Sequence, residues 1–182
     1  APSSGGIALS QILGILQTQD MKKLGAENIH SWRWIGDASR VAFADRDYYV
    51  ADPDFVTVPT KALISQSYLD SRAQEIRATD KALPQINAGK LSNQFAAGKA
   101  VELPSTSHIV VVDKEGNVVS MTTSIENAFG STLMANGYLL NNELTDFAFN
   151  PANAEGKVVA NSVVGGKRPR SSMAPTLVMK NG

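Results

Sequence analysis

The sequence predicts an α+β fold, with helices in the first third and antiparallel strands after residue 106. Apolar residues recur at helical spacing up to about residue 76, and after residue 106 the pattern changes to strands, with a continuous apolar run at Ile109–Val112 and hydroxyl residues at alternate positions from Ser120 to Ser124. Between the two strand-like runs lies Asp113-Lys114-Glu115-Gly116-Asn117, a hairpin loop whose glycine can take a positive φ. At 182 residues the chain can bury a sizeable core, alone or as a piece of a larger domain.

Ile7, Leu9, Ile12, Leu13 and Leu16 place an apolar stripe on a helix that begins after Gly5-Gly6. Ile29, Trp32, Ile35, Ala38 and Ala42 predict a second helix, near 28–46, whose aromatics read as core rather than as a ligand platform. Asp52-Pro53-Asp54 ends the helical region, because proline disfavours a helical residue before it. Leu63, Ile64, Tyr68, Leu69, Ala73 and Ile76 predict a third helix. Residues 78–104, with Pro84, Gly89, Gly98 and Pro104, form a long polar connection of the kind that is functional or mobile. Two strands follow around the hairpin loop, then a candidate strand at Gly137–Asn141, a loop-like stretch at 148–166 and a short strand at Thr176–Met179.

Composition narrows the chemistry. Lys+Arg and Asp+Glu both number 17, so the net charge gives no support for nucleic acid or an anionic membrane as partner. The absence of cysteine excludes disulfides, a cysteine nucleophile and thiolate metal sites. The two histidines, His30 and His108, lack metal-ligand spacing. Val164-Gly165-Gly166-Lys167-Arg168 is no phosphate loop, since Arg168 stands where Ser or Thr is required and Asn161 where the first glycine is required. No cofactor is called for. The start at Ala1-Pro2 without methionine, and the abrupt end at Lys180-Asn181-Gly182, lead us to expect a piece of a longer protein.

The chemistry-bearing residues cluster around the hairpin. Thr106 opens what reads as a buried strand, and Ser120, Thr122 and Ser124 share one face of the next. If Val112 pairs with Val118, then His108 lies opposite Thr122 and Thr106 opposite Ser124, on one polar face. A one-residue slip would destroy that arrangement. A threonine in this setting suits an N-terminal-nucleophile hydrolase, where cleavage before it supplies both an attacking hydroxyl and a basic α-amine. Spacing alone equally fits an ordinary strand threonine and a solvated polar strand face. Glu143 and Asp146, three apart, could be a solvated pair, and Ser171-Ser172 a turn.

Six segments then carry a family signature. They are Pro2-Ser3-Ser4-Gly5-Gly6; Asp45-Arg46-x-x-Tyr49-x-x-Asp52-Pro53-Asp54-Phe55; Thr106-Ser107-His108; Phe129-Gly130-Ser131; Leu140-Asn141-Asn142-Glu143-Leu144-Thr145-Asp146-Phe147; and Lys167-Arg168-Pro169-Arg170-Ser171-Ser172-Met173-Ala174-Pro175-Thr176. In this order they resemble the gamma-glutamyltranspeptidases along essentially the whole chain. The resemblance implies an αββα sandwich and a precursor that cuts itself before the catalytic threonine. Residues 1–105 would be the end of the large subunit, closing in a mobile linker, and 106–182 the start of the small one. The activity implied is transfer of a γ-glutamyl group from glutathione or a related γ-glutamyl compound to water, an amino acid or a peptide.

The same resemblance distributes roles. Thr106 is the nucleophile, and Thr122 and Ser124 orient it. Glu126 stands where the family commonly has an asparagine that touches the substrate α-carboxylate, so either Asn127 takes over, Glu126 turns away, or substrate preference differs. Glu143 and Asp146 hold the α-amino group, and Ser171 and Ser172 the α-carboxylate. His108 and Arg168 are structural, Arg168 through a carboxylate. The substrate-clamping arginine and the Gly-Gly oxyanion hole would lie outside these residues, so the chain alone is expected to need the rest of both subunits and to be inactive. A cephalosporin-acylase-like specificity and an inert, self-associating fragment are the alternatives. Bacterial members favour a periplasmic or secreted location.

Overall fold

The computed structural model describes residues 3–91, 95–98 and 106–180. The helical half contains α1 (Gly6–Leu16), α2 (Met21–Leu24), α3 (Ile29–Tyr49), α4 (Thr60–Leu63) and α5 (Gln66–Arg77). The second half contains β1 (Thr106–Val112) paired with β2 (Val118–Ser124), β3 (Met134–Ala135) paired with β4 (Tyr138–Leu139), and a 3₁₀ turn at Glu143–Asp146. The α+β class is as the sequence predicts.

The core belongs to the helices. Ile15 of α1, Trp34, Ala38 and Val41 of α3, and Leu69, Ala73 and Ile76 of α5 are buried together. Each large side chain so buried contributes roughly 1.5–3 kcal/mol. The predicted stripe on α3 holds at Ala38 and Ala42, which are buried, but not at Ile29, Trp32 and Ile35, which are exposed. The inward face instead carries Ser31, Trp34, Asp37, Ala38, Val41, Ala42, Asp45 and Tyr49. Hydrophobicity alone misplaces this face, since its polar members are buried only because they find partners. The third predicted helix is two, interrupted where Ser65 takes an extended backbone.

Asp45 shows how such burial is sustained. Fully buried, it accepts from Gln11 Nε2 at 3.0 Å, Tyr68 Oη at 2.9 Å and the Gly89 N–H at 2.7 Å, and lies 3.3 Å from Arg72 Nη2. Burial, then the Asp45 charge, pushes the Tyr68 hydroxyl above its ordinary pKa. Asp37 likewise accepts from the Leu83 N–H. These two carboxylates fasten the described start of the long connection, 78–91, onto the helices. The rest of that connection, apart from residues 95–98, and the residue before Thr106 lie outside the described residues.

The hairpin has the predicted register, with Thr106 opposite Ser124, His108 opposite Thr122 and Val112 opposite Val118. Its turn is held by Asp113, which accepts from the Asn117 backbone and side chain at 2.8 and 2.7 Å. Gly116 there has φ 86°, a conformation other residues adopt only at a cost. The expectation of a buried first strand fails, because β1 is exposed along its whole length. The apolar faces of α1 and α3 are spent on each other and on α5. The strand predicted at Thr176–Met179 does not form. Among the described residues no strand pairs with it, and Val178 is 93% exposed. None of the described helices is long and apolar enough to cross a membrane.

Candidate active site

The strand pair places the hydroxyl residues as the register requires. Thr106 Oγ1 donates to Ser124 Oγ at 3.1 Å. His108 Nδ1 lies 2.8 Å from Thr122 Oγ1, and its Nε2 lies 3.3 Å from Ser120 Oγ. His108 therefore bridges two hydroxyls of β2 and does not reach Thr106 through these bonds. Thr122 joins the same polar face as a partner of His108 rather than of Thr106.

Beyond β2 the chain turns sharply. Glu126 has φ 70° and is 7% exposed, and its N–H donates to Ser124 Oγ at 2.9 Å. Ser124 Oγ thus accepts from both Thr106 and Glu126. The Glu126 carboxylate accepts from Asn142 Nδ2 at 2.6 Å. Asn127 is exposed, and its N–H donates to Asn142 Oδ1 at 2.8 Å. Asn142 directly precedes the 3₁₀ turn that carries Glu143 and Asp146, both half-buried. The Glu143 N–H donates to Asn141 Oδ1 at 3.1 Å.

A fully buried residue continues the network. Asn161 Nδ2 donates to the Asp146 carbonyl at 2.7 Å, and Asn161 Oδ1 accepts from the Arg170 N–H at 3.0 Å. This ties the Glu143–Asp146 turn to the strap formed by residues 167–173. Two asparagines, Asn142 and Asn161, were thus not recognised as site residues in the sequence. Asn142 belongs to the Leu140–Phe147 motif. Asn161 sits in a loop-like stretch with no periodicity to mark it.

The strap is docked on the helical half. The Ser171 N–H donates to the Ser3 carbonyl at 2.9 Å, and the Gly5 N–H donates to the Met173 carbonyl at 3.2 Å. Ser171 Oγ accepts from the Met173 N–H at 3.1 Å, and Ser172 Oγ accepts from Arg46 Nη2 at 2.8 Å. Arg170 Nη2 lies 3.2 Å from Asp47. Arg168 bonds Asp52 through its side chain at 2.6 and 2.9 Å, its N–H reaches Asp52 at 2.8 Å, and Asp54 lies at 2.7 Å. These bonds hold the Asp52 carboxyl well below the usual carboxylate range. The expected structural role of Arg168 fits this geometry. Lys167, 7% exposed, donates to the Ala160 and Ser162 carbonyls, and burial lowers its pKa.

A continuous chain of bonds thus runs from Thr106 through Ser124, Glu126, Asn142, the Glu143–Asp146 turn, Asn161 and Arg170 to Ser171-Ser172. An open cavity lined by Tyr68, Arg72, Glu75, Asn87 and Lys90 on the helical half includes none of these residues.

Thr106 Oγ1 and Ser124 Oγ thus form a strand-borne hydroxyl pair that hydrogen bonds link to the turn carrying Glu143 and Asp146. The gamma-glutamyltranspeptidase family profile matches residues 1–182, and the chain belongs to that family. It is 42% identical over 189 aligned residues to the glutathione hydrolase proenzyme of Escherichia coli (strain K12), covering 100% of this chain and 31% of that protein. It is 34% identical to the acylase ACY 1 proenzyme of Pseudomonas sp. (strain SE83), covering 100% of this chain and 30% of that protein. The chain therefore spans about a third of the length of these curated relatives. The cephalosporin acylase structure from Bacillus halodurans shares its fold, with a TM-score of 0.75 at 22% identity, over 95% of this chain and 28% of that one.

Proposed function

We propose that this chain carries the nucleophile region of a gamma-glutamyltranspeptidase-type enzyme, with Thr106 freed by self-cleavage after Ser105. The observation that supports it most is the 3.1 Å bond from Thr106 Oγ1 to Ser124 Oγ on the polar face of the hairpin. In the precursor, the Thr106 hydroxyl attacks the Ser105 carbonyl carbon. The C–N bond breaks, the acyl group moves to oxygen, and water opens the ester. The freed α-amine then takes the hydroxyl proton as Oγ1 attacks the γ-carbonyl of a γ-glutamyl donor such as glutathione. The amine of the donor leaves, and water or an amino acid accepts the glutamyl group.

In this reading Glu143 and Asp146 hold the donor's ammonium, and Ser171 and Ser172 its carboxylate. Residues 1–105 belong to the large-subunit region and 106–182 to the small one, within an αββα layer arrangement that the rest of the protein completes. The chain alone is inactive, and the whole protein is periplasmic or secreted. The test is Thr106→Ala in the full-length protein, which should lose both self-cleavage and γ-glutamyl transfer. Retention of either by the purified variant contradicts the assignment.

A second reading, an acylase acting on another amide, draws on the 34% identity to the acylase relative. Comparing hydrolysis of a γ-glutamyl anilide with that of a cephalosporin side-chain amide separates the two.

A further inference from the structure

Ala160, Asn161 and Ser162 are buried in succession, although they belong to no helix or paired strand. A buried loop segment needs partners for its polar groups. Here the partners lie on two sides. Toward the Glu143–Asp146 turn, Asn161 Nδ2 donates to the Asp146 carbonyl at 2.7 Å, and the Asn161 carbonyl accepts from the Ala148 N–H at 2.9 Å. Toward the 167–173 strap, Asn161 Oδ1 accepts from the Arg170 N–H at 3.0 Å.

Lys167 closes the second side. Its ammonium donates to the Ala160 carbonyl at 2.7 Å and to the Ser162 carbonyl at 2.9 Å. A buried ammonium is costly unless it is bonded, and the two carbonyls it takes flank Asn161 in sequence. The start of the strap thus grips the segment on both sides of the residue that grips the turn. The Asn161 amide has one workable orientation. A flip would set oxygen against the Asp146 carbonyl and nitrogen against the Arg170 N–H.

We propose that Ala160–Ser162 is a spacer, with Asn161 and Lys167 as its positioning residues, that sets the turn carrying Glu143 and Asp146 at a fixed distance from the strap carrying Ser171 and Ser172. This rests on the reading that those two elements hold the donor's ammonium and carboxylate. The two groups are bonded to one carbon, so the donor cannot adjust to a changed spacing. Asn161 and Lys167 act through the turn and the strap and do not touch the donor. Loosening the spacer weakens the hold on the amino-acid head in the ground state and the transition state alike, so the effect falls on KM rather than kcat.

The experiment uses the full-length protein with Asn161→Ala and Lys167→Met, which release the spacer at different bonds. Leu69→Ala, in the helical core, is the control for lost stability. Rates are taken per folded molecule with a γ-glutamyl anilide, and binding is read from competitive inhibition by glutamate and by glutarate, which lacks the ammonium. Both spacer variants should raise KM and the glutamate inhibition constant by about tenfold or more, with kcat within about threefold of wild type. The glutarate constant should change by less than about threefold, since glutarate does not bridge the two elements. Leu69→Ala should reduce the amount of folded enzyme and leave KM where it was. An unchanged KM in a folded spacer variant, a fall in kcat at constant KM, or equal shifts for glutamate and glutarate would each overturn the proposal.

The underlying reading is checked apart from the spacer. If Asp146→Asn and Ser172→Ala leave the glutamate constant unchanged, the assignment of the donor's ammonium and carboxylate fails by itself. Amide exchange then decides the spacer. Lys167→Met should speed exchange at both the Ala148 and the Arg170 N–H by at least about tenfold, and unchanged exchange at either one overturns it.

Discussion

Arg46 Nη2 donates to Ser172 Oγ at 2.8 Å, joining residues 126 positions apart. The guanidinium is 2% exposed, lies 5.2 Å from the Phe43 ring centroid and also bonds Asp47. It comes from α3 in the helical half, and Ser172 comes from the strap assigned to the donor's carboxylate. The two halves of the chain therefore meet at the proposed substrate loop. Arg46→Ala should destabilise the chain by about 1.5–3 kcal/mol, the range for bonds to a charged group. Arg46→Lys keeps charge without the planar fork and should recover only part of it. Urea unfolding measures both. A midpoint unchanged in Arg46→Ala would show that the strap docks by other means.

Gly5 is required by proximity. A Cβ there would stand 2.2 Å from the Ser172 carbonyl oxygen, which is backbone and cannot swing away. Gly5→Ala should lower stability by about 1–3 kcal/mol, as overpacking does. The urea midpoint should fall at constant slope. If the variant unfolds with the wild-type midpoint, the contact between Ser3–Gly6 and Ser171–Met173 is looser than these distances state.

The Asp52–Arg168 pair gives a pH signature. The folded carboxyl has a pKa depressed below its unfolded value of about 3.9. Its contribution is then fully present above about pH 4 and is lost as pH falls through the folded value. The stability gap between wild type and Asp52→Asn should stay constant from about pH 7 to 5 and close below about pH 4. Chemical unfolding across that range decides it, and a gap that closes above pH 5 contradicts the depressed pKa.

How legible the fold was varies by element. The hairpin register followed from one condition, that Val112 pairs with Val118 across the Asp113–Asn117 loop, and with that pairing present Thr106 stands opposite Ser124. The α3 face could not, because its inward positions include Asp37 and Asp45, whose burial depends on donors such as Gln11, Tyr68 and the Gly89 N–H, distant in sequence. The Thr176–Met179 strand was misjudged because its pattern describes a strand that needs a neighbour. Asn161 was invisible for the same reason, since its value lies in joining Asp146 to Arg170.

That bridge has a measurable strength. Asn161→Ala leaves the Asp146 carbonyl and the buried Arg170 N–H without this partner. A loss of about 2–4 kcal/mol is expected, near the sum of two desolvated groups. Asn161→Asp keeps the acceptor toward Arg170 but buries a carboxylate oxygen against the Asp146 carbonyl, and should cost at least as much as Asn161→Ala. Equal stability of Asn161→Ala and wild type, by urea unfolding, would remove Asn161 from the network.

The central claim is that Thr106 becomes an N-terminus. N-terminal sequencing of the smaller product from the purified, processed full-length protein tests it most directly. The product should read Thr-Ser-His-Ile, beginning at Thr106, and Thr106→Ala should give no such product. A product beginning at Ser107 or at any other residue, or an uncut but fully active protein, would contradict the assignment of Thr106 as nucleophile.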